Sequence, residues 1–136
     1  MNLDPGKTLR EFLGCGRAAR DLVLTGADLR GVNLAGLRAD GLVLEEADLR
    51  ESALAHVNWK GCILRDARLE SADFTDALLR VCDLDQARAT NANFARARLE
   101  NSTARGARFD GVDFTSAVLT DTDFSRASLR GATLEG

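Results

Sequence analysis

The residues of this 136-residue chain that could do chemistry are few and poorly placed for catalysis. There is one histidine, His56, there are three cysteines, Cys15, Cys62 and Cys82, and tyrosine is absent. Acid–base or nucleophilic catalysis needs a base, a nucleophile and an orienting partner gathered in one pocket. No Cys/His cluster has the spacing of a zinc site, and no glycine-rich phosphate loop follows a strand. What recurs instead is a surface chemistry at a spacing of 20 residues. Asp73, Asn93 and Asp113 form one such series, Thr75, Ala95 and Thr115 a second, and Cys62 and Cys82 a third. Short polar groups repeated in this way suit a wall that another molecule lies against. The reading is therefore of a non-enzyme with no cofactor and no metal.

The element that positions these residues is a strict period of five. Every fifth residue from Leu24 to Leu134 is Leu, Phe, Trp or Ala, through 23 quintets without a slip. Five is neither the helical period near 3.6 nor the plain strand period of 2. In Ala27-Asp28-Leu29-Arg30-Gly31, Ala27 and Leu29 share one face of a short extended stretch, while Asp28 and Arg30 point the other way. Gly31 then sits where the chain must turn. Nine of the 12 glycines fall in this corner slot, where positive φ costs glycine least. Phe74, Phe94 and Phe114 repeat at 20 residues, a spacing that supports a 20-residue coil, with successive coils stacking at roughly 4.8 Å. The coil holding Ala89 and Ala104 is the one expected to have the thinnest core.

Stretches such as Ala27-Asp28-Leu29, Ala47-Asp48-Leu49, Ala72-Asp73-Phe74 and Ala92-Asn93-Phe94 resemble the pentapeptide repeat family, whose motif reads roughly Ala-(Asp/Asn)-Leu-X-X. The resemblance implies an all-β fold, a right-handed quadrilateral parallel β-helix. The expected organisation is a solenoid over residues 22–136 and an N-terminal capping segment over 1–21. Thr8–Leu13 should form a helical turn stopped by Gly14 and Gly16.

Function then falls on four outer faces. The first, centred on Leu29, Leu49, Leu69, Ala89 and Phe109, offers ion pairs Asp28–Arg30, Asp48–Arg50, Arg68–Glu70 and Arg108–Asp110. The second, centred on Leu34, Leu54, Phe74, Phe94 and Phe114, has nearly all short side chains and no basic residue. Asp73, Thr75, Asn93, Ala95, Asp113 and Thr115 are its candidate partner-binding residues. The third mixes signs and exposes Leu78 and Val118. The fourth carries Val23, Val43 and Ile63 outward, a column expected to lie beneath the N-terminal segment.

Net charge is −3, from 18 basic and 21 acidic residues. That balance argues against direct nucleic-acid binding, which wants a basic excess. No run is long and apolar enough for a membrane span, and no leader pattern is present, which places the chain in the cytosol. Some bacterial members of the family resemble duplex DNA and bind DNA gyrase, protecting it from inhibitors. A mimic needs dense negative charge, and the arginines on the first and third faces count against it. The reading is thus an interaction module for a protein partner, with DNA gyrase as the alternative. The last coil, on Leu119, Phe124, Leu129 and Leu134, is the expected homodimer interface, because a bare solenoid end exposes core and unpaired strand edges.

Overall fold

The computed structural model describes residues 4–136. Its first element is helix α1, Pro5–Cys15. Asp4 caps it by accepting the Lys7 N–H at 3.2 Å, and Pro5 occupies the first turn, where its missing N–H costs nothing. The helix therefore starts three residues before the expected turn, and it runs through Gly14. Gly16 ends it with φ 68, its N–H donating to the Leu13 carbonyl. Leu9 is buried, and Phe12 and Leu13 pack against the core from the same side of the helix.

From Gly16 onward every fifth residue has positive φ, 15 non-glycine residues and ten glycines without a gap. The turn this makes is closed locally, as where the Ala27 N–H reaches the Leu24 carbonyl at 3.0 Å. Positive φ at the third residue of such a turn is the known preference of its type II form. Between turns the chain bonds upward and downward to its neighbours: the Leu29 N–H donates to Asp48 O at 2.7 Å, and the Asp48 N–H to Ala27 O at 2.9 Å. All pairing is parallel and offset by 20 residues. The result is a right-handed quadrilateral β-helix.

One side carries longer pairing than the others. Strands β1 (Ala19–Arg20), β2 (Arg38–Asp40), β3 (Asn58–Lys60), β4 (Leu78–Arg80) and β5 (Arg98–Glu100) form a five-stranded sheet in sequence order on the third face. Ala19 pairs with Ala39. Coil pairing therefore begins upstream of residue 22, because Gly16 already supplies a corner and Ala19 a central slot. Of the 1–21 segment, residues 1–3 lie outside the described residues.

The core is a column of side chains filled by shared volume. Trp59 is fully buried one coil above Ala39, and Phe74 meets it edge-on at 6.2 Å. Phe74 and Phe94 stack at 4.7 Å, and Phe114 follows at 5.5 Å from Phe94. Ala89 and Ala104 do not leave a thin coil uncovered. Phe109 stands one coil above Ala89 and meets Phe94 at 5.9 Å, and Phe124 stands one coil above Ala104, 5.6 Å from Phe109. Cys62 and Cys82 are buried free thiols in one inner corner, continued upward by Ser102. The Cys82 thiol is pushed up by its hydrogen bond with Cys62 and by burial. Ser102 accepts the Cys82 N–H at 3.1 Å and donates to the Glu100 carbonyl.

Val23 is 69% exposed, so the N-terminal segment does not cover the first residue of the fourth-face column as expected, while Val43 and Ile63 are half-buried. The helix crosses the end of the core instead, with Gly6 set against Val32.

Candidate partner-binding face

The second face is held flat by its own polar residues. In the slot before each central residue, Asn33, Asp73, Asn93 and Asp113 turn a side-chain oxygen back onto the chain. Asp73 Oδ1 accepts the Thr75 N–H at 2.9 Å and the Thr75 hydroxyl at 2.5 Å. Asp113 repeats both bonds with Thr115, at 2.8 and 2.5 Å. Asn93 and Asn33 accept the N–H of Ala95 and Ala35 at 2.9 and 3.2 Å. Each acceptor satisfies a backbone donor that would otherwise face outward without a partner. An amide serves as well as a carboxylate here, which explains why Asp and Asn alternate along the column. The Thr115 hydroxyl, followed by its backbone N–H, holds the Asp113 carboxyl below the usual carboxylate range.

The six candidate residues do share one face, in register over three coils: Asp73 pairs with Asn93, and Asn93 with Asp113. They are not equally available. Asn93 is exposed, and Asp73, Thr75, Asp113 and Thr115 are half-buried. Ala95 is only 7% exposed, so it shapes the wall rather than offering contact area. Sequence reasoning missed the rim. Arg96, in the corner slot beside Ala95, reaches Asp76 one coil below at 3.0 Å, and His56 lies 3.8 Å from the same carboxylate. The corner period places Arg96 there, so that signal was available.

On the first face only half of the expected pairs form. Arg30 and Asp28 meet at 2.9 Å, and Arg50 and Asp48 at 2.7 Å. The hydrogen bond from Arg30 brings the Asp28 carboxyl down to about 2. Arg68–Glu70 and Arg108–Asp110 are not ion pairs among the described residues. Asp110 instead accepts from the Ser128 hydroxyl and the Arg130 N–H, while Arg68 Nε and Glu70 Oε2 are buried without partners. Order explains part of this. An Asp before the central residue is anchored by the N–H two positions on, as Asp48 is by Arg50 at 3.2 Å, which aims it at the arginine. An arginine in that slot has nothing to accept with. The expected dimer residues grade outward, with Leu119 and Phe124 half-buried, Leu129 36% exposed and Leu134 61% exposed.

No helix of the described residues is long and apolar enough to cross a membrane. Comparison with known proteins agrees with this architecture. A family model described as pentapeptide repeats (8 copies) matches residues 43–80, 82–121 and 104–136. Comparison with curated proteins gives no match. A trypsin-treated variant of QnrB1, a plasmid-mediated fluoroquinolone resistance protein, aligns with a TM-score of 0.61 at 18% identity, over 86% of this chain and 65% of that one. The chain thus spans just under two thirds of that structure. Full-length QnrB1 aligns with a TM-score of 0.51 at 14% identity, over 89% and 85% of the two chains. A pentapeptide repeat protein from the thylakoid lumen of Arabidopsis thaliana is 29% identical over 83% of this chain and 63% of that one, with a TM-score of 0.47. With the sustained quintet, the family match covers well over half the residues: this chain belongs to the pentapeptide repeat family.

Proposed function

We propose that the protein is a non-catalytic interaction module of the cytosol, a rigid rod that presents its second face to a protein partner. The observation that carries this is the flat, base-free column Asp73–Asn93–Asp113, whose backbone donors are already satisfied by its own side chains. A partner meeting this wall loses little to disordered side chains, because the short groups have few rotamers to freeze. Helix α1, Pro5–Cys15, serves as the cap that keeps the first coil from stacking on another copy.

Arginines at Thr75 and Asn93 should abolish partner capture while leaving the fold intact, whereas Thr90→Arg on the first face should change it little. Asn93 is used rather than Ala95 because Ala95 is buried. Equal losses on both faces would remove the assignment. A second reading, binding to DNA gyrase, draws on the fluoroquinolone-resistance neighbour and on the two carboxylates of this face. A supercoiling assay with and without a quinolone tests it, with Asp73→Asn and Asp113→Asn expected to weaken any protection.

The same chain should also pair end to end through Leu129, Leu134 and the half-buried Leu119 and Phe124, apolar surface that a second copy would cover. Sedimentation as a monomer of 14.6 kDa at high micromolar concentration would refute this.

A further inference from the structure

The first four coils of the third face carry a concentration of positive charge that the net charge of the chain conceals. Arg17, Arg20, Arg38, Lys60 and Arg80 are all exposed there, against Asp40 on the face itself, Asp21 at its corner and Glu100 one coil above Arg80. Asp40 is taken by Arg20 at 3.1 Å. Arg17, Arg38, Lys60 and Arg80 stand in no ion pair among the described residues, although the chain has more acids than bases. Lys60 and Arg80 are direct neighbours in adjacent strands, a like-charge pairing that costs stability. Two shallow depressions hold these cations. One, of about 120 Å³, lies between Arg38, Lys60 and Arg80 over the short side chains of Ala18 and Asn58. The other, of about 380 Å³, continues it past Arg17 to Phe12 on the helix. They share Ala18, Arg20 and Arg38, so they form one trough climbing the sheet.

We propose that this trough is a second binding site, for a short acidic segment of a protein partner in extended conformation. Three coil steps separate Arg20 from Arg80, roughly 14 Å, which an extended chain covers in four or five residues. The sheet beneath spends its backbone groups on neighbouring coils, so the segment is held through its carboxylates by guanidinium and ammonium groups rather than by strand addition. A single-stranded nucleic acid fits less well, because it needs exposed aromatic rings on which to stack. Phe12, the aromatic at the edge of the trough, is half-buried against the core.

Fluorescence anisotropy of a labelled peptide of alternating Glu and Ala tests this, beside a Lys/Ala peptide and an oligothymidylate of matching length. The acidic peptide should bind the wild type, weaken as salt rises, and lose roughly tenfold or more in affinity on Arg38→Gln, Lys60→Gln, Arg80→Gln. Arg68→Gln, Arg88→Gln, Arg108→Gln on the first face removes the same charge and should change binding less than about threefold. Second-face arginines at Thr75 and Asn93 should leave it unchanged, which separates this site from the partner wall. Absence of acidic-peptide binding, equal losses in the two triple variants, or tighter binding of the oligothymidylate would each overturn the proposal.

Discussion

The second and third faces are made from the same quintet and behave differently. On the third, pairing runs through three consecutive residues per coil, as in Arg38–Asp40 against Asn58–Lys60. On the second it touches one residue per coil, the column Asn33, Ala53, Asp73, Asn93, Asp113 and Thr133. The slot before the central residue differs as well. Second-face Asp73, Asn93 and Asp113 oxygens take the N–H two positions on. Third-face Arg38, Leu78 and Arg98 offer no acceptor there. Acceptor-free columns such as Val23–Val43–Ile63 and Arg68–Arg88–Arg108 also pair through one residue per coil, so this slot does not set the length of pairing. What it sets is which charges are tied down. Carboxylates anchored to backbone line one wall, and unpaired cations line the next.

The largest effect should come from the core both faces share. Phe94 is fully buried beneath the second face, stacked on Phe74, and Leu99 is fully buried beneath the third. Phe94→Asp places an unpaired charge there and should prevent folding. Leu99→Ala should cost about 2–5 kcal/mol while leaving a single cooperative transition in urea. Two separated transitions would show that the faces unfold independently.

Removing an anchor should cost less. Asp113→Ala strands the Thr115 N–H and hydroxyl and should lose about 1 kcal/mol, whereas Asp113→Asn should lose a few tenths at neutral pH, since Asn93 makes the same backbone bond. Asn58→Ala, in the matching slot of the third face, should be near neutral. The carboxyl of Asp113 is depressed in the folded state, so its contribution is fully present above the unfolded value near 3.9 and is lost as pH falls through the folded one. Acid unfolding of Asp113→Asn should lack that component, and an unchanged acid limb would show that the carboxylate is not anchored.

Much of this was legible in the period. Central residues such as Phe94 had to point inward and corner residues such as Gly31 outward, because only that assignment gives each coil a core. Buried Cys62 and Cys82 follow from the same count. The anchoring role of Asp73 was not legible, because a carboxylate in an outward slot reads as free surface charge until the N–H of Thr75 is seen beside it. Nor was the burial of Ala95, which depends on its neighbours above and below. Cover over the Val23 column was misjudged for a different reason. Apolar Leu9, Phe12 and Leu13 show that something must be covered, and the period cannot say whether a cap over the end of the core also reaches that column.

A small gain, rather than a loss, should appear at a corner. Val81, between the third and fourth faces, has φ 53 and is 57% exposed. A β-branched side chain in the left-handed region crowds its own backbone, and little surface is buried there in return. Asn91 and Asn101 occupy the same slot at φ 61 and 50, and Asn tolerates that region better. Val81→Gly should relieve the crowding at some entropic cost and gain about 0.5–1 kcal/mol, raising Tm by a few degrees. Val118, also exposed on the third face but outside the corner slot, provides the opposite case. Val118→Gly adds backbone freedom with no strain to relieve and should cost about 0.5–1 kcal/mol. Thermal unfolding of the two variants side by side reads the sign directly. If both lose stability, the corner residues are not the strained positions of this repeat, and the glycines at the other corners reflect something other than φ.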